Sequence, residues 1–405
     1  MITNVNKGFP LASMGQSIEK FLATEPNLFS SGFQFPIAVL RKSAIEHNLK
    51  RMQQYCYDEK VLLAPHAKTT MSPQLAQMQM DHGAWALTVA NFSQARIFLD
   101  FGFKRFIIAN EVVDPDSIRT IAAINAKPEH EILFYVESLA GVEIIKKALA
   151  GVSDVSVHLL IEIGMAKGRA GVRENDQVVA IAEAISQDPK LILRGVAGFE
   201  GSVPGDSRER EGIAALSAFC QKIVDAATKI KSYVGDGPII ISAGGSAYFD
   251  IVSRELNKFG TDSLVILRSG CYIAHDHGFY SRRYPFVGAT PDEVFLPAIE
   301  LWSQVLAQPE VGLAILNTGK RDVGIDLDQP LPIKRYSGEI LPMKGKIDHL
   351  NDQHAFMHVD STQEIIVGDL VALGISHPCT TLDKWRLIPM IDDDYQVVDC
   401  IHTYF

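Results

Sequence analysis

Three groups of residues in this chain have the types and spacing to do chemistry. Lys68 ends the apolar run Val61-Leu62-Leu63-Ala64-Pro65-His66-Ala67-Lys68, just before the polar segment Thr69-Thr70-Met71-Ser72-Pro73. A lysine at the mouth of a buried strand is either charged and paired or kept neutral by desolvation, and the neutral amine is the form that condenses with a carbonyl. His66 stands two residues earlier and faces the same side of an extended chain. The second group is a pair of glycine turns, Ser242-Ala243-Gly244-Gly245-Ser246 and Arg268-Ser269-Gly270-Cys271-Tyr272. Glycines there let backbone N–H groups approach an anion closely, and Ser246 adds a hydroxyl donor. A carbonyl-seeking amine beside such turns points to a phosphate-bearing cofactor. The third group is His377-Pro378-Cys379, an imidazole and a thiol two residues apart, which are zinc ligands by type. Two protein ligands leave open positions for water or substrate.

Two further histidine pairs carry weaker signals. His275-Asp276-His277 follows the second glycine turn, and His354 and His358 have helical i,i+4 metal spacing. Neither has a cysteine or carboxylate at the spacing of a recognised zinc motif, so both are expected to line the mouth of the site.

The elements that must position these groups follow from the apolar pattern. Eight runs rich in Val, Ile, Leu or Phe lie at Val61 to Lys68, Trp85 to Ala90, Arg105 to Asn110, Ile132 to Glu137, Val155 to Gly164, Leu193 to Glu200, Pro238 to Gly245 and Ser263 to Gly270. They do not alternate strictly, as strands of a parallel sheet buried on both faces should not. Helical stretches separate them, including Ser138 to Lys147 and Arg208 to Lys231. Eight strands with helical crossovers predict an α/β fold with a (β/α)8 TIM-type barrel, a doubly wound open sheet being the alternative. In a barrel the chemistry belongs at the carboxyl ends of the strands and phosphate in the loops after the last two, where both glycine turns fall. Beyond Tyr280 the texture changes to short strand-like runs such as Glu364 to Gly374, a β-rich second domain. The boundaries expected are 36–280 for the barrel and 281–405, with residues 1–35, for the β-rich domain. The strand Phe35 to Leu40 and the helix after it could join the latter.

Composition limits the function classes. At 405 residues two domains are expected, and 47% apolar with 21% charged residues is ordinary for a globular chain. A net charge of -10 argues against nucleic acid or an anionic membrane as the main partner. The absence of a long apolar run and of a secretory core at the N-terminus predicts a cytoplasmic protein. Five widely spread cysteines fit reduced thiols better than a disulfide framework.

At this point the residues resemble a known family. Pro65-His66-Ala67-Lys68-Thr69 is similar to the PHxKT motif of the D-serine dehydratase and D-threonine aldolase family, fold type III pyridoxal phosphate enzymes whose barrel resembles that of alanine racemase. The resemblance implies that Lys68 carries pyridoxal 5'-phosphate as an imine. It also implies that Arg169, in the segment from Glu162 to Val172, lies near the cofactor's phenolic oxygen, and that Gly244, Gly245 and Gly270 belong to its phosphate turns. The turn Ala166-Lys167-Gly168 departs from the racemase pattern. The cofactor-binding set is then Lys68, His66, Arg169, Gly244, Gly245, Ser246, Gly270, Cys271 and Tyr272. His377 and Cys379 resemble the dehydratases' His-x-Cys zinc pair, whereas the aldolases carry His-x-Asp, so Cys379 favours a dehydratase. The implied reaction eliminates water and then ammonia from a D-amino acid with a β-hydroxyl, of D-serine type, to give a 2-oxo acid. The rivals are a retro-aldol lyase and a non-catalytic pyridoxal phosphate-binding protein. The family also implies a homodimer whose site forms at the interface, with the polar loop Asn317 to Asp322 contributing across it.

Overall fold

The computed structural model describes residues 1–405 apart from 206, 236, 361 and 362. The chain divides into two compact units, one of residues 53–68 and 79–270 and the other of 1–52, 69–78 and 271–405. The first strand, β1 (Ile37–Arg41), belongs to the second unit. The next eight build the first: β2 (Leu62–Leu63), β3 (Leu87–Val89), β4 (Arg105–Glu111), β5 (Glu131–Val136), β6 (Val157–Ile163), β7 (Leu191–Gly198), β8 (Ile239–Ala243) and β9 (Ser263–Leu267).

These eight strands pair in the order β2-β9-β8-β7-β6-β5-β4-β3, every pair parallel. A parallel bridge between His66 and Thr88 joins the two ends, with Trp85 N–H donating to the Leu63 carbonyl at 2.7 Å. The sheet thereby closes on itself, as the eight-strand reading expected. Its interior is filled by inward residues from successive strands, among them Ala64, Ile107, Leu133, Leu160, Ile240 and Ile266. Gly195 is required where β7 meets β8, because a Cβ there would sit 1.9 Å from the Ile240 carbonyl oxygen. The crossover helices start on local signals: Asn91 and Ser138 accept from the third residue of their helices, and Asp114 precedes a proline at the first helical position. The helices expected at 138–147 and 208–231 are Leu139–Ala148 and Arg210–Ile230. The run Val61 to Lys68 forms only a two-residue strand. Pro65 cannot donate to the ladder, and Ala67–Thr69 turns into a 3-10 helix, so Lys68 lies in a turn beyond the strand.

The second unit is built on a mostly antiparallel sheet. It contains β10 (Ile299–Glu310), β11 (Leu313–Leu316), β12 (Leu331–Tyr336), β13 (Ile340–Pro342), β14 (Gly345–Leu350), β15 (Ala355–Val359), β16 (Leu370–Gly374), β17 (Leu387–Ile391) and β18 (Val397–His402). Their order is β13-β12-β16-β10-β1-β17-β18, with β11, β15 and β14 continuing from β10. The boundary drawn at 36 does not match these units. β1 pairs with β10 and β17, and Ile37 stands opposite Trp302 at the centre of this sheet. Residues 271–280 also belong here. The run from Glu364 becomes a strand only at Leu370, after Gly368 turns the chain at φ 99°. The helical spacing read into His354 and His358 is overturned, because His358 lies on strand β15. Along an extended chain, residues four apart are separated by about 13 Å, too far to share a metal. Among the described residues, no helix is long and apolar enough to cross a membrane.

Candidate active site

At the carboxyl ends of the barrel strands the chain concentrates ionisable groups. Lys68 is exposed in its 3-10 turn. His66 is held by the bridge to Thr88, and its Nδ1 is buried without a hydrogen-bond partner. Burial, then the cations of Lys68 and Arg268, push its pKa well below the usual histidine range, so the ring is neutral. Arg268, 7% exposed at the end of β9, donates to Ser242 Oγ at 2.7 Å and to the Gly198 carbonyl at 2.6 Å. Ser242 passes its own hydrogen to the Ile266 carbonyl at 2.9 Å. A buried guanidinium fixed at two points supplies positive charge without freedom to move away. Tyr135, near it on β5, is buried with its hydroxyl unpartnered, and burial raises its pKa to about 12.

Glu162 at the end of β6 is 5% exposed and is hydrogen-bonded to Glu111 at the end of β4. Burial, then the second carboxyl, raises Glu162 to about 8, with Arg169 and Arg268 opposing the shift. A carboxyl raised to about 8 keeps its proton at neutral pH and is a hydrogen-bond donor there. Arg169 is exposed in the loop after β6, over the Phe199 ring at 5.1 Å, and lines a cleft with Glu162, Gly164 and Met165. Arg173 holds that loop in shape by donating to the carbonyls of Gly168, Arg169, Ala170 and Gly171.

The backbone N–H groups of the glycine turn after β8 are directed at a side chain of the protein. Gly244 N–H donates to Glu200 Oε2 at 3.0 Å and Gly245 N–H to Oε1 at 2.5 Å. Gly244 has φ 97°, and a Cβ there would strike Leu267 at 2.6 Å, so the turn needs glycine. Ser246 follows it half-buried, and Gly270 ends the barrel unit. The two N–H groups expected for phosphate are thus directed at Glu200.

The second unit holds its own cluster. Cys271 opens the 3-10 helix Cys271–Ile273 and is 6% exposed. Its Sγ lies 3.5 Å from Cys379 Sγ, and Cys379 donates to Thr69 Oγ1 at 3.4 Å. The hydrogen bond with Cys379, then burial, raises the Cys271 thiol well above its ordinary pKa. Tyr280 hydrogen-bonds Cys271 and is itself raised, chiefly by that thiol. Tyr272 is buried, its ring 5.8 Å from Phe295. His275 packs on Tyr284 at 4.6 Å, and burial lowers its pKa to about 3.

His377 is the N-cap of the short helix Pro378–Leu382, with the proline at its first position. Cys379 is inside that helix, so the pair sits at a helix start. His377 Nδ1 meets Asp326 Oδ2 at 2.6 Å, and Asp326 Oδ1 accepts from Thr380 at 2.6 Å. Burial works against ionisation of Asp326, but the Thr380 and His377 bonds outweigh it and hold the carboxyl below its usual range. A carboxylate behind one imidazole nitrogen fixes the ring and leaves Nε2 for a ligand. Among the described residues, no group of three or more His, Cys, Asp or Glu side chains is arranged to hold a metal ion. The loop Asn317 to Asp322 is not simply solvated: Thr318 is buried, and Asp322 pairs with Lys7 at 2.8 Å.

Sequence reasoning assigned no role to Glu200, Arg268, Tyr135, Glu162 with Glu111, Asp326 or Thr69. Glu200, Glu162 and Arg268 did have a signal, since each charged residue ends an apolar run where barrel chemistry belongs. Asp326 had none, because it meets His377 across 51 residues of chain.

Residues 40–249 match the family described as alanine racemase, N-terminal domain, and residues 298–391 match the putative serine dehydratase domain. The chain is 22% identical over 347 residues to 3-hydroxy-D-aspartate aldolase of Paracoccus denitrificans, covering 85% of this chain and 87% of the relative. It is 26% identical over 266 residues to D-threo-3-hydroxyaspartate dehydratase of Delftia sp., covering 59% and 68%. The crystal structure of D-threonine aldolase from Filomicrobium marinum has the same fold, with a TM-score of 0.77 at 21% identity over 92% of this chain and 95% of that one. The match over residues 40–249, on a closed parallel barrel with a β-rich second unit, means that the chain belongs to the alanine racemase-like, fold type III family of pyridoxal phosphate enzymes.

Proposed function

We propose that this chain is a pyridoxal phosphate- and divalent metal-dependent lyase that eliminates water and then ammonia from a D-amino acid with a β-hydroxyl, giving a 2-oxo acid. The residues fit the cofactor on three counts. Lys68 offers a primary amine at the barrel mouth, His66 Nδ1 is a buried polar atom without a partner, and the Tyr135 hydroxyl is another. Lys68 would hold the cofactor's aldehyde carbon, Ser246 and Gly270 its phosphate, and Arg169 would face its ring oxygen. When bound, the cofactor supplies an electron sink for the charge developing at the substrate's α-carbon.

Lys68 Nζ, once free of the cofactor, is the base that takes the α-proton. Arg268, fixed by Ser242 and Gly198, keeps its charge in place, and protonated Glu162 can donate a hydrogen bond at neutral pH. His66, held well below the usual histidine range by burial and by the cations of Lys68 and Arg268, is too weak a base to compete for the α-proton. His377, oriented by Asp326, and Cys379 would hold the metal, whose chemistry is Lewis-acid activation of a β-hydroxyl as a leaving group. A cysteine-to-alanine mutant of a relative with the same fold, D-threo-3-hydroxyaspartate dehydratase, has been solved in a metal-free form.

The observation that carries the dehydratase reading is the thiol of Cys379 beside an Asp326-oriented imidazole. The retro-aldol reading has support of its own, because the aldolase relatives match a larger share of the chain than the dehydratase does. Incubation with D-serine, D-threonine and 3-hydroxyaspartates, with product identification, separates the two. Ammonia with a 2-oxo acid supports the proposal, and glycine with an aldehyde overturns it.

A further inference from the structure

Of the five cysteines, two are in sulfur–sulfur contact. Cys271 and Cys379 approach to 3.5 Å although 108 residues separate them, and Thr69 Oγ1 lies 3.4 Å from Cys379 and 3.7 Å from Cys271. The thiols are unbridged. Sulfurs at this distance have nothing between them, and they are about 1.5 Å further apart than in a disulfide. Each sits at the start of a short helical turn, Cys271–Ile273 and Pro378–Leu382, so a small shift of either turn brings them to bonding distance. Their exposures differ: Cys271 is buried and Cys379 half-buried, so an oxidant from solvent meets Cys379 first.

We propose that Cys271 and Cys379 form a reversible intramolecular disulfide with a low-molecular-weight disulfide as oxidant, and that this bond withdraws Cys379 from metal binding. The thiolate of Cys379 attacks one sulfur of the oxidant, breaking its S–S bond and releasing one thiolate, which takes up the Cys379 proton. Cys271 then loses its proton and attacks Cys379 Sγ, forming the Cys271–Cys379 bond and expelling the second small thiol. Two protein thiols are oxidised, and one small disulfide is reduced to two thiols. The bond itself rests on the sulfur geometry alone. Its consequence for the metal rests on the reading of His377 and Cys379 as ligands.

The test treats full-length protein with oxidised glutathione, either after chelation or after loading with zinc, and counts alkylatable thiols by mass with peptide mapping. In the chelated protein, two of the five cysteines should stop labelling, the peptides of Cys271 and Cys379 should be found linked, and dithiothreitol should restore both. Cys271→Ser should stop at a glutathione adduct on Cys379. If all five thiols of the wild type still label, or Cys379 keeps its glutathione adduct, the disulfide is refuted whatever the zinc arm shows. In the zinc-loaded protein the link should form at least tenfold more slowly. If it forms equally fast, the metal consequence is refuted while the disulfide stands.

Discussion

The two units solve the problem of presenting reactive side chains in different ways. In the barrel, every group at the mouth ends or follows a strand: Lys68, Glu111, Glu162, Glu200, Ser242 and Arg268 come from six different strand ends. Parallel strands carry their carboxyl ends to one face, so topology alone gathers these residues and charge pairing then tunes them. In the β-rich unit no such rule operates. His377 and Cys379 lie at the start of a five-residue helix, and their partners Asp326, Thr69 and Cys271 come from segments far away in the chain. The barrel mouth is therefore redundant in fixed charges, whereas the thiol–imidazole cluster depends on each contact singly. Substitutions at the mouth should change chemistry and titration, and those in the cluster should change ligand affinity.

The largest expected effect is at Lys68. Lys68→Ala should lose the cofactor's visible absorbance and lower turnover by at least about a thousandfold, since it removes both the attachment point and the base. A variant that keeps a borohydride-reducible chromophore would remove Lys68 from that role. In the β-rich unit, Asp326→Ala should weaken metal binding about 10–100-fold by releasing the His377 ring. Equilibrium dialysis checks this, with the cofactor's absorbance expected to stay unchanged. Equal metal affinity in the variant would show that Asp326 does not orient the ligand.

The smallest effect concerns pH. Folded Glu162 keeps its proton up to about 8, while the unfolded carboxyl loses it near 4.5. Its contribution to stability is thus full below 4.5 and lost as pH rises through about 8. His275 and His277, lowered by burial to about 3 and 4, act in the opposite sense: their contribution is present above 6.5 and lost as pH falls. The interval from 6.5 to 8 therefore isolates Glu162 from those histidines. Thermal stability should fall across it in the wild type and fall less in Glu162→Gln. Identical slopes would mean that Glu162 is ionised throughout.

How much could be read beforehand follows the same division. The eight strands were legible because a parallel sheet buried on both faces imposes unbroken apolar runs, as in Ile239–Ala243 and Ser263–Leu267. The domain boundary was not, since Ile37–Arg41 is as apolar as a barrel strand and only its pairing with Ile299–Glu310 reveals its sheet. The turn after Ala243 was legible from its glycines, but that Glu200 accepts from its N–H groups depends on how the loop after β7 packs. The contact between Cys271 and Cys379 has no local signature at all.

If the cluster around Cys379 serves the chemistry, removing its metal must stop the reaction. Ammonia release from D-serine should be measured on protein stripped of metal, with the cofactor's absorbance followed in the same sample, and again after zinc is added. Loss of ammonia release on stripping, recovery with zinc and an unchanged absorbance throughout are the predicted results. Release at the original rate from protein verified free of metal would contradict that role.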